Sequence, residues 1–167
     1  DLFMAELEIF ETLEREKRLK FLLESFKDEF DYIFIDCPPS FSFLTLCALV
    51  ASESVIIPVQ CEQFALEALR VFIKLLWRIK GSFNEALELE GILLTMFNKH
   101  INLSRVIAED IKRVFRSKIF KTYIPRNIAL SEASMNGIPT IFYAPDAQGA
   151  IAYSELAQEI IFRHSLS

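Results

Sequence analysis

Glycine is scarce in this chain, with four in 167 residues, and none stands in a G-x-x-x-x-G-K-[S/T] frame. The sequence therefore offers no loop of backbone amides and lysine to cradle a phosphate group. Long apolar runs are missing too. None reaches the ~18–20 residues needed to span a bilayer, and the N-terminus is acidic and amphipathic, unlike a secretory leader, which points to the cytoplasm. The three cysteines, Cys37, Cys47 and Cys61, lie at irregular spacing without a C-x-x-C pair, which argues for reduced thiols packed as small apolar groups. His100 and His164, the two histidines, are far from each other and from any cysteine, which argues against a zinc site. Neither stands in a recognisable nucleophile setting, which argues against a serine or cysteine hydrolase and leaves Ser40 as a loop residue. There is no repeat, low-complexity tract or Gly/Ser linker, so residues 1–167 read as one domain.

Apolar residues are plentiful, at 52% against 25% charged, the balance of a globular chain. The net charge of −5 is spread unevenly. Between Lys99 and Arg126 eight basic residues face only Glu109 and Asp110, giving +6, while the remainder carries −11.

Apolar positions at three-to-four spacing predict a helix over residues 2–29. Asp31-Tyr-Ile-Phe-Ile-Asp36 is a short apolar run of β-formers, suited to a strand covered on both faces, and Pro38-Pro39 ends it. A short helix over 41–51 and a strand over 54–58 follow. The clearest helix spans 64–80. Its polar stripe of Glu67, Arg70, Lys74 and Arg78 is narrow, so packing on more than one side is expected. A strand at 91–96, a helix over 105–116 capped by Ser104, short strands at 119–124 and 140–143, and a last helix over 146–162 complete the reading. Strands alternating with helices imply an α/β fold, a mostly parallel sheet with helices on both faces.

In such folds ligands bind beyond the carboxyl ends of the strands. Asp36, closing an apolar strand, is placed as a Walker-B aspartate would be, able to hold magnesium through coordinated water; a capping or turn role is the alternative. Pro38, Pro39 and Ser40 would form a stiff loop beside it.

Tyr32-Ile-Phe-Ile-Asp-Cys-Pro-Pro-Ser40, Ile57-Pro-Val-Gln-Cys-Glu-Gln-Phe-Ala-Leu-Glu67, Glu90-Gly-Ile-Leu-Leu-Thr-Met96 and Ile124-Pro-Arg-Asn127 resemble successive blocks of the ParA/MinD family of deviant Walker-type ATPases. Ser131-Glu-Ala-Ser134 and Gly137-Ile-Pro139 continue the series, and Pro-Val-Gln-Cys-Glu favours the ParA branch. The resemblance covers about residues 28–162. It implies a P-loop NTPase-like fold incomplete at the N-terminus, the C-terminal part of a chromosome- or plasmid-partitioning ATPase. The family uses ATP and Mg2+, forms an ATP-sandwiched homodimer, binds DNA nonspecifically, and is stimulated by a ParB-like partner. It further implies that Asp36 serves magnesium, that Pro38, Pro39 and Ser40 form a switch loop sensing the γ-phosphate, and that Asn98, Pro125 and Arg126 line the adenine pocket. Asn98 offers the donor and acceptor that a purine edge requires. A turn residue at Asn98 and a strand breaker at Pro125 are the plainer readings.

Two departures qualify the resemblance. The phosphate loop is absent from these residues, so the chain alone is expected to be inactive. The family's DNA-facing arginines are replaced by His100 and Ala129. Lys99, Lys112, Arg113, Arg116, Lys118 and Lys121 remain to meet phosphates, with association to the nucleoid as the consequence; the alternative is a solvated helix face. A non-enzymatic scaffold using the same fold is the competing function. A MinD-like membrane ATPase would need a basic amphipathic C-terminal helix, and Ile160–Ser167 contains one arginine.

Overall fold

The computed structural model describes residues 14–38, 40 and 42–165. They gather into two compact units. One takes the described residues of Asp1–Val55 together with Phe72–Leu89, the other Ile56–Val71 with Glu90–Ser167.

In the first unit a 3-10 turn, Arg15–Lys17, leads into α1, Arg18–Glu24. The helix expected over 2–29 is thus realised only in part; residues 1–13 lie outside the described set, and turns follow from Ser25. Helix α2, Phe43–Ala51, starts where Ser42 accepts the Thr45 amide at 3.3 Å, an N-cap. Leu49 and Val50 of α2 bury against Leu76, Ile79 and Leu87, with Leu46, Val55, Ile73, Leu75 and Leu89 around them. Beneath α2, buried Asn84 donates its Nδ2 to the carbonyls of Leu49 (3.0 Å) and Ser52 (2.7 Å). These acceptors belong to the end of a helix, where no amide of the helix itself is left to bond them.

Residues 32–36, expected as a buried strand, are not one. The segment is irregular, and Tyr32, Ile33 and Phe34 are exposed. Only the alternation of an extended chain survives, the rings of Tyr32 and Phe34 stacking at 6.3 Å. A strand needs neighbours to take its amides and carbonyls, and the described sheet consists of two other segments.

Those two are β1, Ser54–Gln60, and β2, Glu88–Thr95, joined by α3, Ala65–Ser82. This is a strand–helix–strand crossover of the kind parallel pairing requires. Pro58 cannot donate to a ladder, which suits a strand with one open edge. Along α3 the residues Leu69, Leu76 and Ile79 are buried, but Val71 and Trp77 are more than half exposed. Phe72, Ile73 and Leu75 are half-buried beside them, so one face of α3 is covered within the chain, and the second expected contact is one that a partner subunit would supply.

In the second unit β2 is followed along the chain by α4, Asn102–Phe115, α5, Ile128–Met135, α6, Thr140–Tyr143, and α7, Gln148–His164. Ala152, Leu156 and Ile160 repeat every four residues on α7 and close over Leu93, Phe120 and Ile124. Ser104 is not a cap: it is buried as the third residue of α4, which begins at Asn102. The expected strand at 140–143 is helix α6. Pro139, with φ −57°, presents a carbonyl that accepts from Phe142 (2.9 Å) and Tyr143 (3.0 Å), which closes a helical turn. Helix α5, which the apolar pattern does not reveal, has a legible start in Asn127, whose Oδ1 accepts the Ala129 amide at 3.1 Å. It stops just before Gly137, at φ +65°. No helix among the described residues is long and apolar enough to cross a membrane.

Two glycines of contrasting surroundings test this packing. A Cβ on Gly91 would stand 2.7 Å from the buried Phe120 ring and 3.1 Å from the Lys118 carbonyl, whereas one on Gly81 would meet nothing within 4 Å. Gly91→Ala should therefore lower stability by about 1–3 kcal/mol. Gly81→Ala, within α3, should raise it by roughly 0.5–1 kcal/mol. Urea midpoints measure both.

Candidate functional site

Beyond the carboxyl end of β2 the chain turns at Met96, which holds φ +48°, uncommon for a residue with a side chain. Phe97 then forms a parallel bridge with Pro125. Its amide donates to the Ile124 carbonyl at 3.1 Å, and the Ile124 amide donates to Leu94 at 2.9 Å. Asn98 and Arg126 each follow one of the bridged residues, so they stand level at the sheet's carboxyl edge. Tyr123 packs edge-on against Phe97 at 4.9 Å, and an Arg126 guanidinium nitrogen lies 4.0 Å from the Met96 sulfur.

Asn98 is half-buried and Arg126 exposed. Asn98 works as a turn residue here, its Oδ1 accepting the His100 amide at 2.9 Å and its carbonyl the Ile101 amide at 3.1 Å. This engages the acceptor half of its carboxamide, and the NH2 is the half that remains for a ligand acceptor.

The segment carrying Pro125 is held in an unusual way. Residues 119–124 carry a strand's composition, yet they form no regular strand: a bridge pairs Ile119 with Ile92, Phe120 donates to Ile92 (3.0 Å) and Ile124 to Leu94 (2.9 Å), and the next bridge, Phe97 with Pro125, lies just past both segments. Between them the amides of Lys121 and Thr122 donate to the two oxygens of Glu159 on α7, both at 2.9 Å. A side chain takes the Thr122 amide, which a ladder on β2 would have used after that of Phe120, together with its neighbour at Lys121. Arg163, one turn further along α7, donates to Glu159 (2.7 Å) and to the carbonyls of Ile119 (3.1 Å) and Glu90 (3.2 Å), and its guanidinium lies 4.1 Å over the Phe120 ring. Burial acts to raise the Glu159 carboxyl, but the bonds from Lys121, Thr122 and Arg163 together outweigh it and hold it below the ordinary 4.5. The i,i+4 spacing of Glu159 and Arg163 is visible in the sequence; their reach to residues 119–122 is not.

Asp36, expected to meet magnesium, belongs to the other unit and is exposed on the irregular segment. Pro38 and Ser40 follow in a tight turn, the Ser40 amide donating to the Pro38 carbonyl at 2.7 Å; Pro39 lies outside the described residues. The Ser40 carbonyl accepts the Thr45 hydroxyl at 2.7 Å, tying the loop to the start of α2. Burial, and then the Asp36 carboxylate, push the Cys37 thiol up, which leaves it a poor nucleophile. Among the described residues no group of three His, Cys, Asp or Glu converges on a metal position.

Lys99, Lys112, Arg113, Arg116, Lys118 and Lys121 are all exposed. Lys112 and Arg113 occupy the last turn of α4, where cations also favour the helix dipole, and Arg113 pairs with Asp110 at 2.6 Å. Ser104, Ala108 and Ile111 bury the opposite face.

A parallel strand–helix–strand unit with its candidate groups at the carboxyl edge defines an α/β chain of the P-loop NTPase-like class. Its solved likenesses agree. Cobyrinic acid a,c-diamide synthase from Mycobacterium smegmatis, with bound ADP and magnesium, superposes with a TM-score of 0.79 and 31% identity, covering 100% of this chain and 60% of that one. A family profile described as an AAA domain matches residues 1–89. The chain is 48% identical to the sporulation initiation inhibitor protein Soj of Bacillus subtilis over 93% of its own length. It is 39% identical to the chromosome partitioning protein ParA of Caulobacter vibrioides over 98%. The chain belongs to this AAA-domain family, in its ParA/MinD branch. It spans 62% of the length of both relatives.

The depressed Glu159 carboxyl has a consequence for stability. A carboxylate whose folded pKa lies below its unfolded value stabilises the fold above the unfolded pKa, and that contribution is lost as pH falls through the folded one. Glu159→Gln should therefore melt about 2–4 °C below the parent chain at pH 7, and the gap should close as the solution is acidified below the ordinary 4.5. Paired thermal melts across that range measure it.

Proposed function

We propose that this chain supplies the base-side and magnesium-side elements of an ATP-driven partitioning ATPase. The observation that carries the reading is the level placement of Asn98 and Arg126 beside the Phe97–Pro125 bridge. A half-buried carboxamide NH2, a proline and a guanidinium form an edge able to meet a purine. On this reading the exposed Asp36 carboxylate is a hard oxygen ligand suited to Mg2+ through water, and the Pro38–Ser40 loop, anchored to α2, senses the γ-phosphate. ADP and magnesium in the Mycobacterium smegmatis synthase support a nucleotide of this kind. Magnesium bound between the phosphates would neutralise charge developing in phosphoryl transfer. In the whole protein ATP binding drives formation of a homodimer, and that dimer engages DNA without sequence preference through Lys99, Lys112, Arg113, Arg116, Lys118 and Lys121. A ParB-like protein stimulates hydrolysis. The name of the Caulobacter relative supports chromosome partitioning as the process.

These 167 residues contain no phosphate-loop frame, so they should not turn over ATP by themselves. Steady-state phosphate release should stay at background, and hydrolysis that Asp36→Ala abolishes would contradict this. Nonspecific duplex DNA offers a second measurement. If the six cations meet phosphates, affinity should fall by roughly a thousandfold between about 50 and 200 mM salt. A flat salt dependence in fluorescence anisotropy would rule out the electrostatic surface.

A further inference from the structure

We infer that Glu159, braced by Arg163, is the positioning residue that sets Pro125 and Arg126 level with Asn98; the inference rests on the base-side reading of those three residues. Between the bridges at Ile119 and Pro125 the chain runs through five residues without regular pairing to β2. Phe120 and Ile124 each give one amide to β2, at the Ile92 and Leu94 carbonyls, and these two bonds alone leave the path of residues 121–123 between them unfixed. Glu159 supplies the missing constraint. Its two oxygens take the amides of adjacent residues, Lys121 and Thr122, which fixes both the position and the direction of that peptide. Arg163 grips the same segment one step earlier, at the Ile119 carbonyl, and reaches the first half of β2 through the Glu90 carbonyl. The guanidinium thus ties the incoming chain to β2, and its fork holds the Glu159 carboxylate in place. Phe120, 2% exposed beneath the guanidinium, and Ile124, 3% exposed, anchor the two ends of the excursion in the core. The next residues out of the core are Pro125 and Arg126. Neither Glu159 nor Arg163 belongs to the carboxyl edge itself; both act through the segment they hold.

Amide hydrogen exchange on the 167-residue chain tests this without nucleotide. In Glu159→Gln the neutral carboxamide keeps one acceptor and loses its ion pair with Arg163. Exchange should quicken roughly tenfold at Lys121 and Thr122. It should quicken as much at Ile124 and Phe97, the amides that report the second bridge, while Ala108 and Ile111 in α4 rise by no more than the roughly threefold that this variant's lower melting point implies. Arg163→Lys, which retains the charge but not the fork, should move the same four amides in the same direction. Faster exchange confined to Lys121 and Thr122 would overturn the inference, and so would an equal rise at Ala108 and Ile111, the mark of general destabilisation. Adenosine titration of the parent chain reports on the base-side reading separately. Asn98 and Phe97 resonances that ignore adenosine would sink that reading, whereas the exchange rates alone decide the role of Glu159.

Discussion

The carboxyl edge of the second unit depends on a competition for two backbone amides. Lys121 and Thr122 lie in a segment of strand-like composition, and in a regular ladder some of their hydrogen bonds would go to β2. Glu159 takes them instead. Two charge-assisted bonds, reinforced by Arg163, replace neutral ones, and bonds to a carboxylate are the stronger kind. The result is a chain that touches β2, leaves it and returns. Where it returns determines which side chains share the edge. A regular strand from 119 to 124 would carry its side chains alternately to the two faces, and the turn at Pro125 would then owe nothing to α7.

This competition also marks the boundary of what the sequence makes legible. The strands at 54–60 and 88–95, and the helices at 43–51, 65–82 and 148–164, follow from apolar periodicity, because each is decided by its own residues. The failures share one cause: the deciding partner lies elsewhere in the chain. Residues 32–36 have the composition of a covered strand, but composition does not supply the neighbour that would cover it. Residues 119–124 are β-formers in the middle of which two amides, those of Lys121 and Thr122, are captured from α7. At 140–143 a local partner, the Pro139 carbonyl, outweighs β-propensity. Ser104 resembles a cap only if the helix starts after it, and the Asn98 turn starts α4 earlier. That turn also explains the mixed fortune of the site. Asn98, Pro125 and Arg126 are recognisable by their blocks, and they do meet at one edge. Asn98 spends half of its hydrogen-bonding capacity on the backbone, which no pattern of residue types announces.

Backbone conformation adds a second layer that residue types conceal. Met96, immediately past the end of β2, and Phe64, just before the start of α3, hold φ of +48° and +75°. Both are bulky, and neither gains the local hydrogen bond that lets asparagine tolerate this region. Such conformations persist where surrounding bonds over-determine them. At Met96 the surroundings are identifiable: the residue is pinned between the end of β2 and the Phe97–Pro125 bridge. The sheet's carboxyl edge is thus shaped by enforced geometry, in keeping with a place where ligand groups must be presented at fixed positions.

The same bridge links the two functional halves of the proposed site. The stretch from Asn98 to Arg126 is one excursion of the chain that leaves the sheet beside Phe97 and comes back beside Pro125, with α4 and the net +6 of residues 99–126 inside it. The residues proposed to meet the base are its two ends, and its candidate phosphate-binding cations are its interior. Buried Ala108 and Ile111 hold α4 to the core, so the cations are displayed from an element whose both ends meet at a single pair of residues. An excursion closed in this way cannot shift as a body without disturbing Phe97–Pro125. The charge imbalance that stands out in the sequence and the paired turn that stands out in the structure are therefore one feature, and Glu159 is the group outside it on which its closure rests.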